Sequence, residues 1–197
     1  MKEDKHIAAI ILSGGESRRM GTPKALLPFR GETFLDGLIG KLERHCEPVI
    51  VVLGHQAAEI RSSLVRNAQF TENPDYRLGM LTSLQCGLRT LSPACTHAIF
   101  TLVDHPNPAD ATIRAVVNAG EAPVVIPRFG ARKGHPVRLS RPVIDQLLEL
   151  PPTAKPTDVL YRHLDATRFL DLDDPGIVDD IDDRGAYEEL LVRAGSV

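Results

Sequence analysis

Cysteine is scarce: Cys46, Cys86 and Cys95 are the only three in a chain of 197 residues. They form no CxxC pair, and their odd number argues against a disulfide framework. No leader is recognisable, because "MKEDKH" carries both signs of charge and the apolar run behind it is only about six residues long. No stretch approaches the roughly twenty apolar residues of a membrane span. No membrane partner is therefore expected, and the cytoplasm is the default location. Charge of one sign is also lacking, with 23 Lys and Arg against 26 Asp and Glu and a net charge of −3. Such a surface has no general attraction for nucleic acid or anionic lipid, so any phosphate binding must be local. Repeats of fixed period and low-complexity segments are absent. The seven histidines show no HxxxH or HExxH spacing, so no zinc site is signalled.

What is present is ordinary globular material, 43% hydrophobic and 25% charged. The length suits one substantial core and is short for two, so a single domain over residues 1–197 is expected. Apolar strands alternate with amphipathic helices. Ile7–Leu12 is continuously apolar, as a central strand buried on both faces should be. Thr33 can cap a helix in which Phe34, Leu35, Leu38, Ile39 and Leu42 recur at helical spacing. Further strands are expected at Pro48–Leu53, at "HAIFTLVD" ending on Asp104 and at "APVVIP", with helices at Ala57–Val65, Leu81–Leu91 and Ala109–Ala119. Pro151, Pro152 and Pro156 mark a break before a tail too short to be a domain. This alternation predicts an α/β three-layer sandwich, Rossmann-like, with a mostly parallel central sheet. Ligands bind such sheets at the carboxyl ends of the strands, where both Ser13–Lys24 and Asp104 lie.

The stretch "ILSGGESRRMGTPKALLP" sets glycines and cations directly behind the first strand. It is not a Walker A loop, since Gly21 is followed by Thr22-Pro23-Lys24. It is not a GxGxxG fingerprint either, since the chain runs Gly14-Gly15-Glu16-Ser17-Arg18-Arg19. A Gly-rich turn with Arg18, Arg19 and Lys24 can close its N–H groups and cations around phosphate. The alternative is a surface loop whose cations are merely solvated.

Leu12, Gly15, Ser17, Arg19, Met20, Gly21, Lys24, Leu26, Leu27 and Pro28 together resemble the LxxGxSxRMGxxKxLLP signature of the MobA-like nucleotidyltransferases. "NPDYRLGMLTSLQCGL", "LVDHP", "GHPVRLS" and "DDIDDRGAYEEL" each resemble a further family block, in family order and across nearly the whole chain. "GHPV" is similar to the molybdenum cofactor cytidylyltransferase branch. The resemblance implies a nucleotide-diphospho-sugar transferase-like fold. It implies an enzyme that moves a nucleoside monophosphate from an NTP to molybdopterin or a related small phosphate, releasing pyrophosphate, with a molybdoenzyme or chaperone as protein partner. The double glycine Gly14-Gly15 resembles the guanylyl form, while "GHPV" and the tail resemble the cytidylyl form. CTP is taken ahead of GTP. The identity of the acceptor is left open.

In that chemistry an already anionic phosphate attacks the α-phosphorus, so catalysis consists mainly of positioning and charge neutralisation. The resemblance assigns Arg19, Lys24 and Asp104 to catalysis, Lys24 being read as an exposed loop cation. It assigns Leu12, Ser13, Gly14, Gly15, Arg19, Lys24, Ser83 and Gln85 to the nucleotide. Magnesium takes oxygen ligands. The resemblance places it on Asp104, in a block that departs from GDxP with Val103 and His105, and on Asp182, with Asp180 as the fallback. Asp183 reads as a helix N-cap. His135 is assigned to the acceptor side, while His55 and His105 carry no assigned role. Two other classes stay open: a non-catalytic nucleotide-binding module, and a metal-dependent hydrolase using Asp104, His105 and His135. The second leaves Arg19-Met20-Gly21 and Lys24 unexplained.

Overall fold

The computed structural model describes residues 6–195. The charged start in which no leader was recognised falls largely on residues 1–5, outside the described residues. The chain enters through β1 (Ile7–Ser13), buried at every position. It leaves by a long loop ending in the 3-10 turn Lys24–Leu26. A small hairpin of β2 (Pro28–Phe29) and β3 (Glu32–Thr33) leads into α1 (Phe34–Leu42). Thr33 caps α1 as expected, its hydroxyl accepting from Asp36 N at 3.0 Å. Next come β4 (Val49–Leu53), α2 (Ala57–Ser63), β5 (Gln69–Glu72), α3 (Met80–Leu88) and β6 (His97–Leu102). The chain continues through α4 (Asp110–Asn118), β7 (Val124–Phe129), β8 (Arg132–Lys133) and β9 (Val137–Ser140). It closes with α5 (Arg141–Glu149), α6 (Pro156–Leu160), β10 (Arg168–Asp171) and α7 (Arg184–Arg193). No described helix is long and apolar enough to cross a membrane.

The main sheet runs β10–β7–β9–β6–β1–β4–β5, with β8 added to β7. β1 lies parallel to both β4 and β6, β4 to β5, and β10 to β7. Among the described residues the antiparallel pairs of this sheet all involve β9 or β8. The mostly parallel sandwich expected from the sequence is therefore present.

Because alternate residues of a strand face opposite ways, the apolar run of β1 feeds two cores. Ile7, Ala9 and Ile11 pack with α1 and α4, while Ala8, Ile10 and Leu12 pack with α3 and α5. Leu35, Leu38 and Ile39 of α1 are fully buried. Each such side chain contributes roughly 1.5–3 kcal/mol relative to exposure. Arg138 of β9 is equally buried, and its guanidinium donates to the carbonyls of Val117, Ala119 and Gly120 at the end of α4. That bonding satisfies helix-end acceptors which would otherwise be orphaned. Two well-packed layers thus hold the ends of β1, β4 and β6 in fixed relation, and the candidate site is built on those ends.

Candidate functional site

The loop after β1 is shaped by close approach. A Cβ on Gly54, just past β4, would come within 2.7 Å of the Gly14 carbonyl oxygen and 2.8 Å of Tyr76 Cβ. The loop therefore rests directly on the end of β4. Met20 N and Gly21 N both donate to the Ser17 carbonyl, and Lys24 N donates to Ser17 Oγ at 3.1 Å. Gly21 turns with φ +67, a conformation that side chains disfavour. The loop doubles back, and Lys24 is turned toward the sheet.

There Lys24 Nζ meets two carboxylates, Asp104 Oδ2 at 3.2 Å and Asp182 Oδ1 at 2.7 Å. Arg19 Nη2 donates to the other oxygen of Asp182 at 2.8 Å. The Lys24 ammonium beside it, followed by Arg19, holds the Asp182 carboxyl below the usual carboxylate range against the opposing effect of desolvation. Lys24 is not the exposed loop cation expected from sequence: its side chain is only 12% exposed. It sits at the seam of the cleft because Asp104 and Asp182 draw it inward. The loop carries a second, more exposed network. Glu16 accepts from Arg77 at 2.9 Å and from Arg18, and Arg77 lies over the Tyr76 ring at 5.4 Å. Arg77, then Arg18, lowers the pKa of Glu16.

The opposite wall begins where β6 ends. Ile181 is buried, and its N–H donates to the Asp104 carbonyl at 2.9 Å. This pins the tail beside the end of the strand and brings Asp180 and Asp182 to the same place. Asp104, His105 and Asp180 each offer a ligand atom, all within 4.8 Å of one another. Burial and the charges of Asp104 and Asp182 raise the Asp180 pKa. The His105 ring packs 4.9 Å from that of His135, which also meets Phe100 edge-on at 5.3 Å. Desolvation, then the His105 charge, pushes the His135 pKa down to about 3, so the imidazole is neutral. Lys41 supports this wall from α1, donating to the carbonyls of Pro106 and Pro108 at 3.2 and 3.1 Å. Burial, with the Arg30 charge adding to it, lowers the Lys41 pKa to about 8.

Between the walls lies a cleft of about 500 Å³. Leu12, Ser13, Gly14, Gly15, Arg19, Lys24, Ser83, Asp104 and Asp182 all line it, as do Arg18, Tyr76 and Met80. Gln85, assigned to the nucleotide from the sequence, is not among these lining residues. Its amide is buried and donates to the carbonyls of Leu147 and Leu150 at 2.8 and 2.9 Å, closing the end of α5. His135 also lies outside the lining; it touches His105 rather than the cleft. His55 meets the Tyr76 hydroxyl at 3.4 Å. Asp183 caps α7, accepting from Ala186 N. Glu16, Tyr76 and Arg77 had no assigned role in the sequence. Tyr76 and Arg77 lie in the block that supplied Ser83, but nothing in the sequence pairs Arg77 with a glutamate sixty-one positions away.

Residues 9–167 match the MobA-like NTP transferase domain family. The molybdenum cofactor cytidylyltransferase of Escherichia coli strain K12 is 29% identical over 147 residues, covering 74% of this chain and 76% of that protein. A "Probable molybdenum cofactor guanylyltransferase" of Mycobacterium avium strain 104 is 34% identical over 111 residues, covering 54% of this chain and 53% of its own. Among solved structures, Rv0371C of Mycobacterium tuberculosis H37Rv in complex with manganese is similar at 26% identity and a TM-score of 0.79. The match covers 95% of this chain and 99% of that one.

Proposed function

Because the chain belongs to the MobA-like NTP transferase domain family, we propose that it transfers the nucleoside monophosphate of an NTP to molybdopterin or a closely similar small phosphate. The carrying observation is the single ammonium of Lys24 bonded to carboxylates from both Asp104 and the tail, at the mouth of a glycine-rich loop. Lys24 is only 12% exposed while Asp182 is 41% exposed, so the ammonium is held at the inner edge of the cleft rather than out in solvent. A cation that must trade carboxylate partners for triphosphate oxygens belongs there. In this reading the backbone of Ser13–Gly15 approaches the nucleotide, and Arg19 and Lys24 neutralise the triphosphate. The acceptor phosphate is already ionised and needs no base. Its oxygen forms a bond to the α-phosphorus as the bond to pyrophosphate breaks, and the cations stabilise the charge that moves onto the leaving group. A divalent cation, magnesium in the simplest form of the reaction, would neutralise the α-phosphate when bound. Asp104 Oδ1 suits that role, being buried and without a hydrogen-bond partner among the described residues.

CTP is the favoured donor, supported by the "GHPV" block and by the cytidylyltransferase relative, whose match spans more of this chain than the guanylyltransferase match. The second reading, GTP, draws on Gly14: a Cβ there would stand 3.2 Å from Ser83 Oγ, so glycine keeps that corner of the cleft open. The product would pass to a molybdoenzyme or its chaperone in the cytoplasm. Incubating the full chain with molybdopterin, a divalent metal and each of the four NTPs in turn tests the reading through pyrophosphate release. Release with CTP well above the other three is expected. Release with GTP alone selects the second reading, and none with any NTP refutes both.

A further inference from the structure

We infer that the cation of this site is held by Asp104 Oδ1, a ring nitrogen of His105 and Asp180, and that the imidazole turns the site toward manganese, cobalt and zinc and away from magnesium. Though it rests on the transferase reading for the reason a cation is held there, it is tested without turnover.

The two oxygens of Asp104 are used differently. Oδ2 accepts from Lys24 Nζ, while Oδ1 is buried with no hydrogen-bond partner among the described residues. His105 Nδ1 is in the same condition. Buried polar atoms left unbonded cost about 1–3 kcal/mol each, and two on adjacent residues, of which Asp104 lines the cleft, call for a ligand that both can serve. An electron-pair acceptor is such a ligand. Asp180 completes the set: one ligand atom from each of Asp104, His105 and Asp180 lies within 4.8 Å of the others. A cation about 2.1 Å from each donor would hold them roughly 3–4 Å apart, so small side-chain rotations suffice. Asp182 does not compete for the place, since both of its oxygens accept from Lys24 and Arg19. The second tail carboxylate is therefore Asp180, and the sequence-based assignment to Asp182 belongs to the cationic loop instead.

Donor chemistry then sets the preference. Magnesium takes oxygen ligands in a near-ideal octahedron and sheds water reluctantly. Nitrogen donors raise affinity along the first transition series. Val103-Asp104-His105-Pro106 places an imidazole where a side chain without a donor atom would leave an all-oxygen site.

The test loads the full chain, without nucleotide, with Mn²⁺ and records pulsed electron paramagnetic resonance. Modulation from a coordinated imidazole nitrogen is expected in the parent and in His135→Gln, and should vanish in His105→Gln. Its absence from the parent overturns the inference whether or not any variant folds. Titrations with Co²⁺ and Mg²⁺ supply the second arm. His105→Gln should weaken Co²⁺ by at least the roughly tenfold that even outer-shell partners cost, with Mg²⁺ affinity nearly unchanged. Asp180→Asn should weaken both ions more than Asp182→Asn does. Equal loss of Co²⁺ and Mg²⁺ in His105→Gln, or a larger loss in Asp182→Asn, contradicts it. Neither arm needs an acceptor or an NTP, so failure here is distinct from failure of the transferase reading.

Discussion

The two walls of the cleft treat their charges in opposite ways. On the loop wall, Glu16, Arg18 and Arg77 pair with one another near solvent, with side-chain exposures of 18%, 83% and 73%. Pairs so exposed are worth little and exchange partners readily. On the strand wall, Asp104 and His105 hold buried atoms without hydrogen-bond partners among the described residues, over a loop tied down by Lys41. In the proposed reaction the loop wall would rearrange around the incoming anion, and the strand wall would receive the cation. Lys24, bonded to Asp104 and Asp182, and Arg19, bonded to Asp182, join the two.

Removing Lys24 should therefore break the comparison most severely. In Lys24→Ala, turnover should fall by about 10²–10³, the usual cost of losing one group that stabilises transition-state charge. Stability should also drop by about 1–3 kcal/mol, because Asp104 and Asp182 lose a charged hydrogen-bond donor. Steady-state rates and thermal melting check the two parts separately. Full activity in a folded variant would remove Lys24 from the site.

The rigidity of the strand wall can be sharpened through Lys41. Its pKa in the folded chain is about 8, against an ordinary 10.5. Between those values the unfolded chain holds a proton that the folded chain has released. Stability should accordingly rise with pH from about 8 to 10.5, by no more than about 1.4 kcal/mol per pH unit. Below pH 8 both states are protonated and the effect is constant. Denaturant unfolding across that range should show the rise in the parent and a flatter profile in Lys41→Gln. Parallel profiles would mean that the ammonium is better solvated than its surroundings indicate.

Smaller effects separate the lining of the cleft from its scaffold. Gln85→Ala should cost about 1–3 kcal/mol, since the carbonyls ending α5 lose their donor, and should leave the choice of NTP unchanged. A change in NTP preference would return Gln85 to the nucleotide. Arg77→Ala, on the exposed wall, should change stability by less than about 1 kcal/mol, an effect that salt should further reduce in thermal melts.

Much of this arrangement is legible in the sequence. The apolar run of β1, the glycines behind it and the aspartate after β6 place the loop and Asp104 together, because parallel strands share their carboxyl ends. The cap on α1 and the cap on α7 are local signals, and both are read correctly. What escapes is non-local. The antiparallel insertion of β9 between β6 and β7, and the return of the tail as β10 beside β7, depend on pairings that periodicity cannot encode. Gln85 has the polarity of a binding residue, but α5 arrives above it and takes its amide. Asp180 and Asp182 are indistinguishable by spacing. Only the folded tail, pinned through Ile181 to Asp104, turns one toward His105 and the other toward Lys24.

The central claim, that the cleft joins a nucleotide α-phosphate to an acceptor phosphate, is tested most directly by following labels. With CTP labelled at the α-phosphate, label should appear on molybdopterin in step with pyrophosphate release. With label at the γ-phosphate it should appear only in pyrophosphate. Label from the γ-phosphate on the acceptor, or α-label recovered solely as free CMP, would contradict the account.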